Sequence, residues 1–406
     1  MITLLNEKHI VIGVSGSIAA YKAADLASKL TQAGAKVDVI LTPAAEKFVS
    51  PLTFQSVTGR KAFTDTELWG GEAHILHVGL GHTADLFLVA PCTANTLAKL
   101  AQGLADNLLT ITALAARCPI MVAPAMDVGM FTQVVTQENL RVLASRGVTI
   151  VGPGEGRMAS GLSGKGRMLE PDELLGHIRL VLGKKGVLAG KQVTVTAGGT
   201  QEAIDPVRFI SNRSSGKQGY ALAQAALDAG AKVTLISTPT SLVPPVGAAL
   251  TQVGSAQEML QAVQAALHQC DVLIMAAAVA DFRPKKVLTE KVKKKDGLPD
   301  LTLESTTDIL GTINLPDANL PRPKVIVGFA AESSDLIKNA MEKLHNKKLD
   351  LIAANDISAS DAGFGVDTNR VTLLDSNGKP EVLPLLSKVE VAEAIIARVA
   401  TLLENK

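Results

Sequence analysis

Small hydroxyl and amide residues follow strand-like runs in the first half of the chain. Residues 11–22 read VIGVSGSIAAYK, a strand that ends in a small-residue turn and opens a helix, with Ser15, Gly16 and Ser17 in the turn. Backbone N–H groups and the helix dipole make such a turn suitable for a phosphate. The spacing is neither G-x-G-x-x-G nor that of a P-loop, so a tight turn with an N-capping serine explains it equally well in isolation.

Two further turns of the same kind strengthen the ligand hypothesis. Thr42 follows the next strand-like run, and residues 90–96 read APCTANT after another, with Thr93, Asn95 and Thr96. Ligands of open α/β sheets bind at the carboxyl ends of the strands. Three such ends together favour one phosphate-bearing ligand over three unrelated turns.

Candidate substrate contacts come next along the chain. Asn107 lies in GLADNLLT, and residues 124–130 read PAMDVGM, with Met126, Asp127 and Met130. Methionine more often fills a core than contacts a ligand. This stretch, however, also follows a strand end, which favours a place near the ligand.

Three neighbouring histidines offer a candidate general base. His74, His77 and His82 precede the strand that leads into APCTANT. Imidazole titrates near neutral pH and is the commonest general acid or base in enzymes. A lone histidine is more often a structural hydrogen-bonding residue, so residue type alone does not choose among the three.

The second half carries its own anion-binding patterns. Residues 192–200 read QVTVTAGGT, and residues 211–219 read SNRSSGKQG before an alanine-rich helix. Arg208, Asn212 and Lys217 add charge and hydrogen-bonding groups there. Both turns have the form of phosphate cradles. A solvated basic loop that caps a helix is an equally good interpretation of the spacing alone.

Both halves alternate β-branched runs with alanine- and leucine-rich helical patterns. Strands are predicted at 9–14, 36–41, 85–90, 119–123 and 148–151, and then at 192–196, 232–237, 271–275, 324–328 and 349–353. This alternation is typical of α/β domains with mainly parallel sheets and crossover helices. The glycine- and serine-rich segment 152–167 is predicted to be a mobile loop.

Length and composition bound the organisation of the chain. Its 406 residues exceed the size of one hydrophobic core, so two domains are expected. We place the first domain at 1–182, a linker rich in lysine and glycine at 183–190, and the second domain at 191–406. Charged residues make up only 19% of the chain, so part of the surface is expected to form a subunit interface.

Charge, cysteine content and hydropathy exclude several classes of protein. The 40 lysines and arginines nearly balance the 39 aspartates and glutamates, so there is no overall field for nucleic acid or an acidic membrane. No apolar run approaches the roughly 20 residues that span a bilayer, and the N-terminus lacks a signal-peptide pattern. Three widely spaced cysteines fit a reducing compartment, and we predict a cytoplasmic protein.

The first half resembles the flavin-containing cysteine decarboxylases. The resemblance rests on GVSGSIAAYK, the histidine of HVGLG before ADLFLVAPCTANT, GLADNLLT and PAMDVGM. It implies a flavodoxin-like or Rossmann-like domain that binds FMN and assembles as a trimer or higher multiple. The implied FMN contacts are Ser15, Gly16, Ser17, Thr42, Thr93, Asn95 and Thr96. The implied substrate contacts are Asn107, Met126, Asp127 and Met130, with His77 as the active-site histidine.

This resemblance implies decarboxylation of phosphopantothenoylcysteine to 4'-phosphopantetheine. Oxidation of the aminoethanethiol end by FMN gives a thioaldehyde. The thioaldehyde accepts the electron pair that remains on the substrate when carbon dioxide leaves. The family often carries a flap cysteine that returns the last proton, whereas Ser160 stands there in MASGLSGKGRM, and Asp127 likewise replaces an asparagine. A serine hydroxyl has a far higher pKa than a thiol, so Ser160 is expected to position or relay a proton.

The second half resembles the phosphopantothenate-cysteine ligase domain, in AGGTQEAIDPVRFISNRSSGKQG, AAAVADFRP, EKVKKK and VGFAAES. The resemblance implies that CTP, with Mg²⁺ or another divalent cation, converts 4'-phosphopantothenate to an acyl-cytidylate that cysteine then attacks. Asn212 would stabilise that intermediate, Arg208 would contact the acyl substrate and Lys291 would lie nearest the chemistry. The implied CTP site is Met275, Ala276, Ala277, Asp281, Lys291, Thr306, Thr307, Asp308, Ile309, Phe329, Lys343 and Lys347. These ligase domains are expected to pair as dimers.

Both domains in this order identify the chain as a member of the bifunctional family of coenzyme A biosynthesis. Ser160 leaves open a rival, a ligase fused to an FMN-binding domain whose decarboxylation is altered or lost. A domain that only holds flavin as an assembly element is a third hypothesis. A general dehydrogenase is disfavoured, because neither half has G-x-G-x-x-G followed by an acidic residue for the ribose.

Overall fold

A computed structural model describes residues 4–69, 75–293, 301–314, 320–332, 335–356, 366–376 and 380–406. The chain divides into two compact units, the first ending at Leu182 and the second beginning at Gly183. Each unit has its own twisted sheet with helices between the strands. The predicted α/β fold class is confirmed. No helix within the described ranges is long and apolar enough to cross a bilayer.

The sheet of the first unit is parallel throughout. Its strands are β1 (His9–Val14), β2 (Lys36–Leu41), β3 (Ala62–Phe63), β4 (Leu86–Cys92), β5 (Ile120–Pro124) and β6 (Thr149–Ile150). They lie in the order β3-β2-β1-β4-β5-β6, which is the Rossmann order. Without the two-residue β3 it is the flavodoxin order. In both, the order reverses between β1 and β4, where ligands of such sheets bind.

Helices cover both faces of this sheet. They are α1 (Ala20–Gln32), α2 (Pro51–Thr58), α3 (Leu76–Thr83), α4 (Ala94–Gln102), α5 (Leu108–Ala115), α6 (Val128–Thr132), α7 (Val134–Ser145) and α8 (Pro171–Gly183). Ile10 and Ile12 of β1 belong to one buried cluster, and Val11 belongs to another. Successive residues of a strand point to opposite faces, so β1 is buried on both sides, as a doubly wound sheet requires.

The alanine-containing run at 44–49 after β2 predicts a crossover helix there, and this prediction is wrong. The chain makes a 3₁₀ turn at Ala45–Lys47, and a separate helix, α2, follows. Ser50 caps that helix by accepting a hydrogen bond from the N–H of Leu52, and Pro51 is its first residue. Proline suits the first helical position and disrupts an interior one, so it forces the break.

The segment 152–167, predicted as a mobile loop, forms an antiparallel hairpin of β7 (Gly154–Arg157) and β8 (Ser163–Arg167). Gly156 and Gly164 pair across it, both with positive φ, a conformation that favours glycine. A loop was predicted because the segment has few apolar residues. A hairpin held by backbone hydrogen bonds needs little apolar surface, so that composition is compatible with β-structure.

A buried charge cluster ties the amino ends of β1 and β2 together. The carboxylate of Asp38 is almost fully buried, accepts two hydrogen bonds from Arg60 at 2.7 and 2.9 Å, and lies 2.7 Å from the ring Nε2 of His9. Burial alone would raise the pKa of Asp38, but the hydrogen bonds from His9 and Arg60 outweigh it and lower that pKa.

We expect Asp38→Asn to lower the free energy of unfolding of the first unit by about 2 kcal/mol, because the buried side chain loses the charge-assisted hydrogen bonds that its carboxylate makes with His9 and the exposed Arg60. Urea denaturation followed by the fluorescence of Trp69, the single tryptophan, measures this. A carboxylate whose pKa is lowered by folding stabilises the folded protein at pH values above its unfolded-state pKa, about 3.9. This stabilisation is lost as the pH falls through the folded-state pKa. The difference in stability between Asp38→Asn and the wild type should therefore disappear in acid. Asp25→Asn, at an exposed aspartate of α1, is the control; an equal loss there would contradict the argument.

The second unit extends the Rossmann order with two antiparallel strands. Its strands are β9 (Gln192–Ala197), β10 (Gln201–Ala203), β11 (Phe209–Ser211), β12 (Lys232–Ser237), β13 (Ala249–Gln252), β14 (Val272–Met275), β15 (Phe282–Pro284), β16 (Leu303–Ser305), β17 (Val325–Glu332), β18 (Leu351–Asp356), β19 (Thr368–Asn369), β20 (Val371–Asp375), β21 (Glu381–Val382) and β22 (Leu386–Ser387). The main sheet has the order β13-β12-β9-β14-β17-β18-β20-β21. Parallel pairing runs from β13 to β18, and β20 and β21 are antiparallel to their neighbours. The reversal of order lies between β9 and β14.

The remaining strands form three small antiparallel ladders, β10-β11, β15-β16 and β19-β22. The helices are α9 (Lys217–Asp228), α10 (Ala256–Leu267), α11 (Ile309–Ile313), α12 (Leu336–Asn346) and α13 (Lys388–Glu404). Residues 183–190, predicted as a linker, lie in the second unit. There Leu188 is fully buried, and its N–H donates to the carbonyl of Ala229 at 2.7 Å.

Candidate active sites

A cavity of about 550 Å³, the first-unit cavity, opens at the carboxyl ends of β1, β2 and β4. Six of the seven predicted FMN contacts line it: Gly16, Ser17, Thr42, Thr93, Asn95 and Thr96. Three of the four predicted substrate contacts line it as well: Asn107, Met126 and Met130. Segments up to 114 residues apart in the chain therefore converge on one space, as expected where the strand order reverses.

Ser15, the seventh predicted FMN contact, does not lie on the wall. It is buried, its hydroxyl donates to the carbonyl of Pro91 at 2.7 Å, and it accepts from the N–H of Thr93 at 3.0 Å. These bonds join the end of β1 to the turn before α4. Ser15 thus orients Thr93, which caps α4 by accepting from the N–H of Thr96.

The turn after β1 leaves no room for a side chain at position 16. A Cβ built on Gly16 would lie 2.5 Å from the Cβ of Ala44 and 3.0 Å from its carbonyl carbon. This contact keeps two strand ends together as a shallow cradle of backbone and hydroxyl groups. The cradle and the helix start beside it suit the phosphate of a flavin mononucleotide. The apolar side chains of Met126 and Met130 in the same cavity suit its ring.

Gly16→Val should weaken flavin binding at least about tenfold, because the branched side chain must push the Thr42–Ala44 segment out of the cradle. The absorbance of bound flavin after gel filtration, and fluorescence titration of the stripped protein, measure this. Gly79→Ala is the matched control, because a Cβ there meets nothing within 4 Å. Retention of wild-type flavin content by Gly16→Val would contradict the cradle.

Asn107 is held rigidly at the cavity edge. It caps α5 by accepting from the N–H of Thr110 at 2.9 Å, and the Thr110 hydroxyl completes a reciprocal capping box. The carboxamide nitrogen donates to Asp106 at 3.3 Å. Lys99, which also lines the cavity, pairs with the same carboxylate at 2.7 Å. The polar side of the cavity is thereby preorganised.

The two residues that depart from the resembled family contact each other. The hydroxyl of Ser160 donates to the carboxylate of Asp127 at 2.6 Å. This hydrogen bond, and a second one from the N–H of Gly129, lower the pKa of Asp127, so the group is a carboxylate at neutral pH. Asp127 and Ser160 do not line the first-unit cavity, although Asp127 directly follows Met126, which does. The base of the hairpin is anchored there, because the N–H of Met126 donates to the carbonyl of Gly166 at 3.0 Å.

His77 lies in α3 and not on the wall of the first-unit cavity. Its ring Nδ1 is buried and has no hydrogen-bond partner within the described part of the chain. Helix α3 packs against α5, whose first turn Asn107 caps at the cavity edge. A buried, unsatisfied ring nitrogen is costly in a folded protein, which favours a functional role over a structural one. His74 lies outside the described residues.

Cys92, although it ends β4 beside the predicted flavin contacts, is fully buried. Burial strongly raises the pKa of its thiol. A thiol held in that state is a poor proton donor or nucleophile. The structure therefore assigns Cys92 to the core.

A larger cavity of about 680 Å³, the second-unit cavity, opens at the carboxyl ends of β9, β14, β17 and β18. Eleven of the twelve predicted CTP contacts line it: Met275, Ala276, Ala277, Asp281, Thr306, Thr307, Asp308, Ile309, Phe329, Lys343 and Lys347. Asn212 lines it too. These residues span more than 130 positions of the chain, and they meet where the strand order reverses.

Two threonines position the wall that follows β14. The N–H of Ala277 donates to the hydroxyl of Thr196 at 3.1 Å, and the N–H of Ala280 donates to that of Thr200 at 2.9 Å. The carboxamide nitrogen of Asn212 donates to the carbonyl of Val279 at 3.1 Å. The end of β9 and the segment around Asn212 are thus tied to the predicted nucleotide wall.

Helix α9 approaches β9 closely enough to bring its N-terminus to the second-unit cavity. A Cβ on Gly219 would lie 2.5 Å from the Cβ of Ala197, so only glycine allows this packing. Gly216 precedes the helix with φ of 77°, and no side chain caps the first turn. The small residues of SSGKQG therefore serve the turn and the helix–strand contact.

Arg208 and Lys291 do not line the second-unit cavity. Arg208 pairs with the buried carboxylate of Asp205 at 2.9 Å and also donates to the carbonyl of Val292. Burial alone would raise the pKa of Asp205, but N–H donors from Val207, Arg208 and Val292, together with the guanidinium, lower it. This arrangement holds the residue after Lys291 beside Arg208, and Lys294 and Lys295 at the end of the lysine run lie outside the described residues.

Two predicted lysines are already engaged with groups of the wall. Lys343 donates to the carbonyl of Phe329 at 2.7 Å, and Lys347 forms an ion pair with Asp308. Burial would raise the pKa of Asp308, but the Lys347 ammonium and the N–H of Gly311 lower it. Asp308 therefore caps α11 as a carboxylate and fixes the wall between α11 and α12.

The predicted CTP site did not include several polar residues of this wall, among them Gln218, Asn355, Asn369 and Lys388. The carboxamide oxygen of Asn355 is buried and accepts no hydrogen bond from any described residue. An orphan acceptor on a cavity wall is a place for a ligand donor. The asparagine after the LDLIAA run was the available signal, since it ends a buried strand. No group of three or more His, Cys, Asp or Glu residues in the described ranges forms a metal site.

Comparison with known proteins assigns a family to each half of the chain. Residues 3–183 match the flavoprotein family, and residues 188–403 match the DNA/pantothenate metabolism flavoprotein C-terminal domain. The chain is 46% identical over 402 residues to the coenzyme A biosynthesis bifunctional protein CoaBC of Bacillus subtilis strain 168, with 98% of each chain covered. It is 44% identical over 398 residues to that of Vibrio vulnificus strain CMCP6, again with 98% of each covered.

The chain belongs to the family of coenzyme A biosynthesis bifunctional proteins. Among solved structures, that of the C-terminal domain of a CoaBC protein covers 54% of this chain and 100% of its own, at 41% identity and a TM-score of 0.46. Family membership confirms the predicted bifunctional enzyme of coenzyme A biosynthesis, with a flavoprotein first half. It does not favour the rival in which one of the two activities is lost, because the similarity to bifunctional relatives extends over nearly the whole chain.

Proposed function

We propose that the chain ligates cysteine to 4'-phosphopantothenate with CTP and then decarboxylates the resulting phosphopantothenoylcysteine to 4'-phosphopantetheine. The observation that supports this most strongly is the convergence of distant predicted contacts on one cavity in each unit. The second-unit cavity serves the ligation, and the first-unit cavity serves the decarboxylation.

In the ligation, the carboxylate of 4'-phosphopantothenate attacks the α-phosphate of CTP, and pyrophosphate leaves. The amine of cysteine then displaces CMP from the acyl-cytidylate. Asn212, whose carboxamide is held by Val279, binds the acyl-cytidylate, and the backbone of Ala276 and Ala277 receives the base. The buried oxygen of Asn355 accepts a hydrogen bond from a donor on the nucleotide or the amine.

Positive charge at this site offsets the charge that develops on the phosphates. Lys343 and Lys347 line the cavity, and Lys291 approaches from the segment that Arg208 holds. A divalent cation such as Mg²⁺ would offset charge on the phosphates, and Asp281 on the cavity wall would help to hold it.

In the decarboxylation, residues of the first-unit cavity bind and orient both molecules. Bound FMN supplies the oxidation that makes the carbon beside the carboxylate able to release carbon dioxide, and it takes part in returning the electrons. Gly16, Ser17 and Thr42 cradle its phosphate, and Asn107 with Met126 holds the substrate. His77 is the proposed base, because its buried ring Nδ1 has no partner among the described residues; it lies off the cavity wall on α3, which packs against α5 behind Asn107.

Ser160 and Asp127 act as a pair in the last protonation. Ser160, oriented by its hydrogen bond to the Asp127 carboxylate, passes its hydroxyl proton to the enethiolate left by decarboxylation and takes a proton from solvent in the same step. A hydroxyl oriented in this way relays a proton without itself becoming an alkoxide. This arrangement compensates for the absent flap cysteine.

Subunit association completes the proposal, with first units as trimers, second units as dimers and the whole in the cytoplasm. Exposed apolar side chains support association in both units: Ile18 and Tyr21 on α1 and its N-terminal turn, and Phe209 and Phe282 on the β10-β11 and β15-β16 ladders. Such residues at the surface mark interaction sites when they cluster. Three cysteines without disulfides fit the reducing compartment.

A coupled assay tests the whole proposal. Purified protein is given 4'-phosphopantothenate, cysteine, CTP and Mg²⁺, and CMP and carbon dioxide are followed separately. Equal amounts of the two products are expected. CMP without carbon dioxide would leave the ligase and refute the decarboxylase, and the absence of both would refute the proposal. Omission of cysteine should stop carbon dioxide release completely.

A further inference from the structure

One ion pair of the second unit holds the residue that follows Lys291. Asp205 lies in the connection between β10 and β11, and its side chain is completely buried. Its Oδ2 accepts a hydrogen bond from the N–H of Val292 at 3.3 Å and pairs with the Arg208 guanidinium at 2.9 Å. The same guanidinium donates to the carbonyl of Val292. Both backbone groups of Val292 are therefore held by two side chains, and we call this arrangement the Val292 clamp.

The other oxygen of Asp205 shapes its own connection. Oδ1 accepts hydrogen bonds from the N–H groups of Val207 and Arg208, at 2.8 and 2.9 Å. Bonds of this kind from an aspartate to the backbone just after it are typical of turns. The contact of Oδ2 with Val292, 87 positions away, is additional to what the turn requires.

The segment that the Val292 clamp holds has little buried surface of its own. It follows β15, and six of residues 285–291 are exposed. Within the described ranges its backbone donates two further hydrogen bonds, each at 2.9 Å, to the carbonyls of Thr302 and Ile204. Segments with few buried apolar contacts open locally at a low free-energy cost. The clamp therefore decides where the end of the segment that carries Lys291 lies.

Lys291 combines an anchored neighbour with an available ammonium group. Its side chain is exposed and pairs with no residue that the structure describes. The segment starts beside the second-unit cavity, because Asp281 and Phe282, just before it, line that cavity. A lysine ammonium is a compact charge on a flexible stem, with three donors for phosphate oxygens. Where this charge acts depends on where the backbone beside it is held.

We propose that Asp205 is a positioning residue of the ligation, which with Arg208 holds Val292 so that the adjacent Lys291 meets the phosphates of the bound nucleotide. This inference rests on the proposed ligase function. Asp205 is buried off the cavity wall and touches no substrate itself. It acts through the placement of the lysine charge, and misplacement of a reacting group by about 1 Å costs about 100-fold in rate.

Asp205→Asn releases the clamp and spares the turn. The amide keeps one oxygen for the N–H groups of Val207 and Arg208, but its NH₂ group faces two donors, the N–H of Val292 and the guanidinium. The kcat for CMP release from CTP, 4'-phosphopantothenate and cysteine with Mg²⁺ should fall about 10- to 100-fold. The KM for CTP should change less than about threefold, because the cavity wall is intact.

Asp271→Asn is the matched control. Asp271 also accepts a backbone N–H, that of Gln192 at 3.0 Å, and pairs with Lys324 at 3.1 Å, but it does not line the second-unit cavity. This variant should keep the wild-type kcat. A wild-type kcat in Asp205→Asn as well would overturn the inference.

A double variant distinguishes positioning from a merely structural role. In Lys291→Met the residue that Asp205 positions is already absent, so addition of Asp205→Asn should lower kcat by less than about threefold. A further loss of about tenfold or more in that background would show that Asp205 acts by another route and would overturn the inference. A wild-type kcat in Lys291→Met would overturn it too.

Val292→Pro decides the question if Asp205→Asn does not fold. Proline removes the N–H that Asp205 accepts, in a segment outside the main sheet, and leaves the carboxylate in place. Its kcat should fall in the same way, whereas Val292→Ala keeps the N–H and should keep its kcat. Equal rates in these two variants would contradict the clamp.

Failure of the ligase proposal has a different signature. If the wild type releases no CMP with all substrates present, the ligase reaction fails, and the Asp205 inference fails with it. If the wild type ligates while Asp205→Asn and Asp271→Asn behave alike, the ligase stands and only the Asp205 inference fails.

Discussion

Asn212→Ala should reduce amide formation by about 10²- to 10³-fold, the usual cost of removing one donor that stabilises a charged intermediate. The carboxamide donates to the carbonyl of Val279, so it is held in place on the cavity wall rather than free in a loop. Alanine removes both the carboxamide and its hydrogen bond to the carbonyl of Val279. Nucleotide binding should fall much less, because the backbone of Ala276 and Ala277 and the lysines remain.

The measurement separates the two half-reactions. Pyrophosphate release without cysteine reports activation of the carboxylate, and amide formation is followed by mass spectrometry. Gln224→Ala removes a carboxamide of α9 that donates to Asp228 at 2.9 Å and does not line the second-unit cavity, and it should behave like the wild type. Ligation by Asn212→Ala at the wild-type rate would rule out the assigned role.

His77→Asn should lower carbon dioxide release by about 10²- to 10⁴-fold, the usual contribution of a positioned acid or base. Its ring nitrogen is buried and unsatisfied among the described residues, so the fold gains no hydrogen bond from it there. Asparagine keeps polarity and approximate size but does not titrate near neutral pH. Bound flavin should therefore persist, visible as the yellow colour, while turnover is lost.

Neighbouring histidines supply the control for that result. His82→Asn changes an exposed imidazole near the other end of the same helix and should retain full decarboxylation. Phosphopantothenoylcysteine is supplied directly, so that ligation does not limit the rate. Full activity in His77→Asn would transfer the role to His74 or to no histidine, and loss of flavin from that variant would make its effect structural.

The strand ends illustrate what periodicity predicts well. β1, β2 and β12 have the predicted boundaries, and the turns after β1 and β4 both reach the first-unit cavity. A buried parallel strand is a short apolar β-branched run, and the residues after it must turn, so both signals are local. Once the strands are aligned in parallel, their carboxyl ends meet at one edge, and the residues of that edge follow directly.

Two predicted ligand contacts, which stay predictions, are already engaged by protein groups. Ser15 was predicted to contact FMN, but the carbonyl of Pro91 and the N–H of Thr93 lie within its reach and it bonds with them. Arg208 was assigned to a substrate, and in the structure it pairs with Asp205 and Val292 off the cavity wall. In both cases a protein partner distant in sequence competes with the ligand for a polar group. No local pattern reports that competition.

The amino-acid sequence by itself determined the α/β class, two families of motifs and the strand ends that form each site, because these depend on periodicity and turn chemistry within a few residues. Only the tertiary structure decided which polar groups face a cavity and which face the protein. Lys388 is the clearest case, since Gln218 and Asp367 hold it beside α9. Its burial arises from packing of segments about 170 residues apart, and such packing leaves no signal in the residues around it.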